Sequence, residues 1–292
     1  MAMNRRDIRR LLEAGLAFAG IGLLSVLPVD WASALAGGLA RAIGPRLRVS
    51  NVARRNLGRA FPEKSAAEIE TIVGEVWENL GRVAGEFPHL DWLMRNRVEV
   101  VGAENLILLR DDGQPGLFVA AHLGNWEMAA TTAVMQGIAI TLIYREANNP
   151  WVEKLYRRYR ASTAPGGQIA KGSEGAREIM QVLKGGGHIG MLVDQKMNDG
   201  IAVPFLGREA MTAPAVGRFA VRYKCPVVMA RVERLGGAHF RITLTPPMDY
   251  TLTGDTHADT LALMTSINDQ LGQWVRERPG QWLWLHKRWP EN

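Results

Sequence analysis

From residue 98 onward the chain alternates short apolar runs with stretches of helical periodicity, and this alternation restricts the fold more than any other feature. The runs are GLFVAA (116–121), IAITLIY (138–144), HIGMLV (188–193) and CPVVMARV (225–232). Around them the spacing predicts helices over 125–136, 149–161, 173–184 and 212–223. Strands without polar alternation, separated by helices, belong to a largely parallel sheet covered on both faces. The expected class is therefore α/β, a mostly parallel central sheet flanked by helices. The runs 225–234 and 239–246, joined across Gly236-Gly237, read as a hairpin. A last helix from about Thr256 to Arg276 leads into the tail PGQWLWLHKRWP.

Upstream, Ser65-Ala66-Ala67-Glu68 is a capping box. Ile69, Ile72, Val73, Val76, Trp77, Leu80, Val83 and Phe87 follow it at helical spacing, giving a long amphipathic helix that ends near Pro88. Before it, Leu11 to Val29 is apolar apart from Glu13, with sixteen uncharged residues from Ala14 to Val29. That is slightly short for a span, which takes about 17–25 residues. Three readings stay open: a signal peptide cleaved near Ala32-Ser33-Ala34, a buried core helix, and a retained anchor. Arg5, Arg6, Arg9 and Arg10 precede the segment while Arg41, Arg46, Arg48, Arg54 and Arg55 follow it. Positive charge on both flanks favours a helix that enters or lies along one anionic leaflet without crossing. The domain division expected is a membrane-anchoring helical segment over 1–48 and a single α/β domain over 49–292.

The 292 residues carry 35 Lys and Arg against 29 Asp and Glu, a net charge of +6, which favours acidic partners. No basic run interleaved with aromatics and no zinc-finger or RNA-binding signature is present, which argues against nucleic acid. The single cysteine, Cys225, excludes an intramolecular disulfide and any multi-cysteine metal site.

Parallel sheets place ligands at the carboxyl ends of their strands. His122 follows the first run, Arg145 the second and Asp194 the third. In the stretch AAHLGNWEMAA, His122 and Glu127 are five positions apart, about 140° around a continuous helix and so unable to cooperate there. If Asn125 is the N-cap and Gly124 supplies the bend, Glu127 falls in the first helical turn and its carboxylate can reach back to the imidazole. His122 would then be a general base held by an acid. With no Ser or Cys nucleophile adjacent, the hydroxyl to be activated belongs to a substrate, and backbone N–H groups at the helix start would assist an oxyanion. The residues alone leave a structural alternative open: a histidine at a strand end, and a glutamate favoured by the helix dipole. The pattern His-Glu-x-x-His is missing, and no other histidine forms a ligand spacing with His122, so neither metal nor cofactor is expected.

The order NVARRNLGRAFPEKS, VWENLGRVAGEF, VEVVGAENL, AAHLGNWE, YREANNP, LVDQ, VPFLGREAMTAPAVGRFAV and WLWLHKRW resembles the lipid A biosynthesis acyltransferases, the lauroyl and myristoyl transferases within the lysophospholipid acyltransferase superfamily, over nearly the whole chain. The resemblance implies an O-acyltransferase on the cytoplasmic face of a bacterial inner membrane. Its donor would be an acyl-carrier-protein thioester, and its acceptor a hydroxyl of a phosphorylated, Kdo-bearing lipid A precursor. It also implies His122 and Glu127 as the catalytic pair and Arg145 as an acceptor-binding group, with Asn125, Asp194 and Arg208 as further substrate-binding positions. Arg145 can instead be a solvated arginine, and Asp194 and Arg208 members of structural ion pairs. Two departures stand out. Glu146 replaces a common proline, and VPFLGRE replaces the Phe-Pro-Glu-Gly form, which argues against lysophosphatidate as acceptor. Alternatives left open are another glycolipid acceptor such as a mannosylated phosphoinositide or an ornithine lipid, a thioesterase-type hydrolase, and a non-catalytic lipid-binding protein. Trp282, Trp284 and Trp289, beside Lys287 and Arg288, form either an interfacial belt or part of the core.

Overall fold

The apolar N-terminal stretch forms two helices, because Pro28 lacks the N–H that would continue the first. They are α1 (Arg5–Val26) and α2 (Val29–Ile43). The structure, a computed structural model, describes residues 4–160 and 164–290, apart from the side chains of Arg5, Arg6, Ile8 and Ser173. Among the described residues no helix is long and apolar enough to cross a membrane. After α3 (Ser50–Ala60) comes α4 (Ala66–Glu86), whose capping box is formed by Ser65 and Glu68 as the sequence predicts. Helix α2 lies directly on α4. A Cβ at Gly81 would fall 2.3 Å from the Ala36 carbonyl oxygen and one at Gly85 2.4 Å from that of Ala32, so this approach needs glycine. The boundary expected near residue 48 falls between α2 and α3, although α2 is packed onto the body of the protein.

The remaining elements are α5 (Leu90–Asn96), β1 (Val98–Val101), α6 (Glu104–Asp111), β2 (Gly116–Ala120), α7 (Thr131–Met135), β3 (Ile140–Tyr144), α8 (Pro150–Arg160), β4 (Gln168–Ala170), α9 (Ser173–Lys184), β5 (His188–Leu192), β6 (Lys196–Phe205), β7 (Arg208–Thr212), α10 (Ala215–Tyr223), β8 (Val227–Gly236), β9 (His239–Leu244) and α11 (Thr256–Glu277). A seven-stranded sheet has the order β1-β9-β8-β2-β5-β3-β4. Strands β8, β2, β5, β3 and β4 are mutually parallel, and β9 turns back on β8 through the expected hairpin. The α/β class and mostly parallel sheet match the sequence reading. Position 161, the end of one expected helix, lies outside the described residues.

Successive side chains of a strand point to opposite faces. One face carries Leu117, Val119, Ile189, Met191, Val227 and Met229 into a core shared with α4, α10 and α11. The other carries Phe118, Ala120, Ile140, Val228 and Ala230 against α6 and α7. The C-terminal tryptophans belong to the first core: Trp282 is 1%, Trp284 0% and Trp289 3% exposed. They form no interfacial belt. Arg288 is buried with them, donating to the Met211 carbonyl and Thr212 Oγ1 and lying over the Phe205 ring. Burial lowers its pKa to about 10.

Candidate active site

Strands β2 and β5 are adjacent and in register, Ala120 opposite Leu192. Two residues beyond each stand His122 and Asp194, so the sheet itself brings this pair together. His122 Nδ1 lies 2.8 Å from Asp194 Oδ1, and the His122 backbone N–H donates to Oδ2 at 3.0 Å. A carboxylate only accepts, so Nδ1 carries the proton and the Nε2 lone pair remains available. Trp282 Nε1 donates to the same Oδ2 at 2.7 Å. Burial alone would raise the Asp194 pKa. The positive field of His122, with its side-chain and backbone N–H donors, outweighs this and holds the carboxyl well below the usual range.

The turn between β2 and α7 is built differently from the expected helix. A short 3-10 turn, Trp126–Met128, precedes α7, and Asn125 at its N-cap makes no side-chain cap. A three-residue turn offers no helix N-terminus for an oxyanion. Asn125 instead donates to buried Glu86 Oε2 at 2.8 Å. Glu86 also accepts from Ser33 Oγ (2.6 Å) and from both terminal nitrogens of Arg234. Arg234 Nε donates to Asn79 Oδ1, while Asn79 Nδ2 donates to the Gly124 carbonyl. Gly124 has φ of 58°, and a Cβ there would sit 2.5 Å from the Val232 carbonyl oxygen; only glycine fits. The C-terminal tail straps the same turn, with Gly124 N–H donating to the Gln281 carbonyl and Leu283 N–H to that of His122.

Glu127 does not reach back to the imidazole. Both its oxygens accept from Arg160 at the end of α8, at 2.5 and 2.7 Å, and one accepts from Trp126 Nε1. The 3-10 turn aims it across the opening toward α8, leaving Asp194 as the imidazole's acid partner. Between the turn that precedes α7 and the second face of the sheet lies a cavity of about 310 Å³. Its mouth carries His122, Glu127, Arg145, Arg160, Lys171 and Gln195, and the rest of its lining is apolar apart from Tyr144 and Gln168. The structure thus gathers His122, Glu127, Asp194 and Arg145 around one edge of the sheet. Arg145 is exposed at the mouth. Asn125 is fully buried behind the turn, supporting it and not lining the cavity. Arg208 follows the β6–β7 turn, exposed, donating to the Arg59 carbonyl and outside the cavity lining.

The sequence profile described as "Bacterial lipid A biosynthesis acyltransferase" matches residues 3–291. The chain belongs to that family. A lipid A biosynthesis myristoyltransferase of Escherichia coli (strain K12) is 25% identical over 289 residues, covering 95% of this chain and 87% of that protein. A lipid A biosynthesis palmitoleoyltransferase of the same strain is 25% identical over 253 residues, 82% and 78% of the two chains. A lipid A biosynthesis acyltransferase of Haemophilus influenzae is 22% identical over 278 residues, 90% and 83% respectively.

Several residues around the site of this acyltransferase carry no sequence signal of their role there, although Glu86 and Trp282 lie in the stretches VWENLGRVAGEF and WLWLHKRW that carry the resemblance. Trp282 reads as one aromatic among many, and Glu86 and Arg234 are ordinary charges in a helix and a strand. Arg160 is one of three arginines in the last turn of α8. Their roles arise from pairing partners far away in the chain, which local spacing does not encode.

Proposed function

We propose that this acyltransferase moves a fatty acyl chain from an acyl-carrier-protein thioester to a hydroxyl of a phosphorylated, Kdo-bearing lipid A precursor. The observation that carries the proposal is the His122–Asp194 pair at the mouth of an apolar cavity. The cavity takes the acyl chain and presents the thioester carbonyl at its mouth, beside Nε2. His122 removes the acceptor hydroxyl's proton as that oxygen attacks the carbonyl; Asp194 holds the tautomer and stabilises the imidazolium. When the tetrahedral intermediate collapses, the proton passes to the departing thiolate. A positioned base contributes on the order of 10²–10⁴ in rate. Glu127 acts with Arg160 as a wall of the mouth, and Arg145 faces the acceptor's anionic groups, where a guanidinium fork suits phosphate.

The surface of α1 and α2 supports a reading of membrane attachment. Leu12, Leu16, Leu23, Val26, Trp31, Leu35 and Leu39 are each between 59% and 76% exposed, and Arg46 and Arg48 lie exposed just after α2. An apolar face bordered by arginines suits helices lying on an anionic leaflet, here the cytoplasmic face of the inner membrane. The test incubates purified protein in detergent with acyl-carrier-protein thioesters of several lengths and the Kdo-bearing precursor. One added acyl chain in the precursor's mass is expected. An unchanged mass together with transfer to another glycolipid overturns the acceptor assignment; free fatty acid released without any acceptor overturns transfer in favour of hydrolysis.

A further inference from the structure

The apolar cavity is graded in rungs by strand register. Ala120, Leu192 and Ala230 stand on the rung nearest the mouth, since Ala120 is paired with both of the others. Phe118, Gly190, Leu142 and, at the edge of the sheet, the polar Gln168 form the next. Below them on β3 is Ile140, paired with His188 and 1% exposed. All of these except His188 line the cavity. Residues two apart on a strand are separated by about 6.6 Å, so each rung adds or removes room for several methylenes. Small side chains, Ala129, Ala130 and Ala230 among them, keep the walls apart, and the middle rung has no side chain at Gly190.

A methyl group at Gly190 would lie 2.6 Å from Leu142 Cδ2 and 2.9 Å from Ile140 Cδ1. Both atoms are the ends of flexible side chains that line the cavity, so adding the methyl fills this space or pushes those ends into it, without requiring the strand to move. Accepting the reading of this cavity as the acyl site, we infer that Gly190 and Ile140 set the length of chain the enzyme transfers: the bare position at Gly190 admits the chain past the middle rung, and Ile140 Cδ1 helps to stop it.

The experiment compares wild type with Gly190→Ala and Ile140→Val, the latter removing the Cδ1 atom in question. Each full-length protein competes a graded ladder of saturated acyl-carrier-protein thioesters for one acceptor, with products resolved by mass. Gly190→Ala is expected to favour shorter chains, rejecting the wild-type length relative to a shorter one by at least about tenfold, the low end for a methylene in an apolar pocket. Ile140→Val is expected to shift the distribution toward longer chains, and the double variant to fall between the two. If Gly190→Ala fails to fold, the Ile140→Val shift decides the matter by itself. Active variants with the wild-type length distribution overturn the inference and leave the acyl-site reading standing. A wild-type enzyme that transfers no chain of any length overturns that reading and the inference with it.

Discussion

Replacing Asp194 by asparagine tests the proposed dyad at the level of single hydrogen atoms. Asp194 Oδ1 accepts from His122 Nδ1, while Oδ2 accepts from two donors, His122 N–H and Trp282 Nε1. An amide must present its NH₂ at one of these positions. Placed at Oδ2 it would confront two donors; placed at Oδ1 it meets only Nδ1. Asparagine therefore turns its NH₂ toward the imidazole, which accepts that bond only with its proton moved to Nε2. The base is then occupied in the neutral enzyme, and no carboxylate remains to stabilise the imidazolium. The expected loss in kcat is on the order of 10²–10⁴, about 2.7–5.4 kcal/mol of barrier at 1.36 kcal/mol per decade, with KM little changed. Initial rates with saturating acyl-carrier-protein thioester and acceptor measure it, alongside thermal unfolding to establish that the variant is folded. A folded Asp194→Asn enzyme with near wild-type kcat refutes the reasoning. So does a Glu127→Gln enzyme that alone loses the acid limb of the pH–rate profile, since that would return the orienting role to Glu127.

The remaining expectations concern the supports of the dyad and the surface. Trp282→Phe keeps the ring and removes one donor to a buried carboxylate, a bond of about 1.5–3 kcal/mol; kcat should fall about tenfold or more with KM unchanged, and unchanged kcat would confine Trp282 to packing. Glu86→Gln leaves Arg234 buried without its counter-charge, and chemical denaturation should show a loss of about 3–5 kcal/mol; a loss within experimental error would contradict the pairing. Because the Asp194 pKa is lowered in the folded protein, its ionised form adds stability above the ordinary carboxylate pKa of about 3.9. That contribution is lost as pH falls through the lower folded value. The stability difference between wild type and Asp194→Asn should therefore shrink only below about pH 4; a decline beginning near neutrality would speak against it. Paired Trp31→Ser and Leu35→Ser substitutions should weaken sedimentation with anionic vesicles without altering unfolding, and undiminished binding would place membrane contact elsewhere.

Local sequence was enough for the α/β class, the apolar strands, the capping box at Ser65 and the hairpin at Gly236-Gly237, because each depends on periodicity or on the chemistry of a few neighbouring residues. It also put His122, Arg145 and Asp194 at strand ends, since the end of an apolar run can be read directly. Partnership could not be read that way. His122 lies five residues from Glu127 and seventy-two from Asp194, yet the distant acid is its partner because β5 lies beside β2 in register. Strand order is decided by which faces pack best across the whole core, a sum over side chains no short window contains. The same applies to the C-terminal tryptophans, amphipathic in composition and buried once β6, α4 and the tail close over them. Local residues set which groups are available to the chemistry; the fold sets which of them meet, because the parallel sheet places side by side strand ends that lie far apart along the chain.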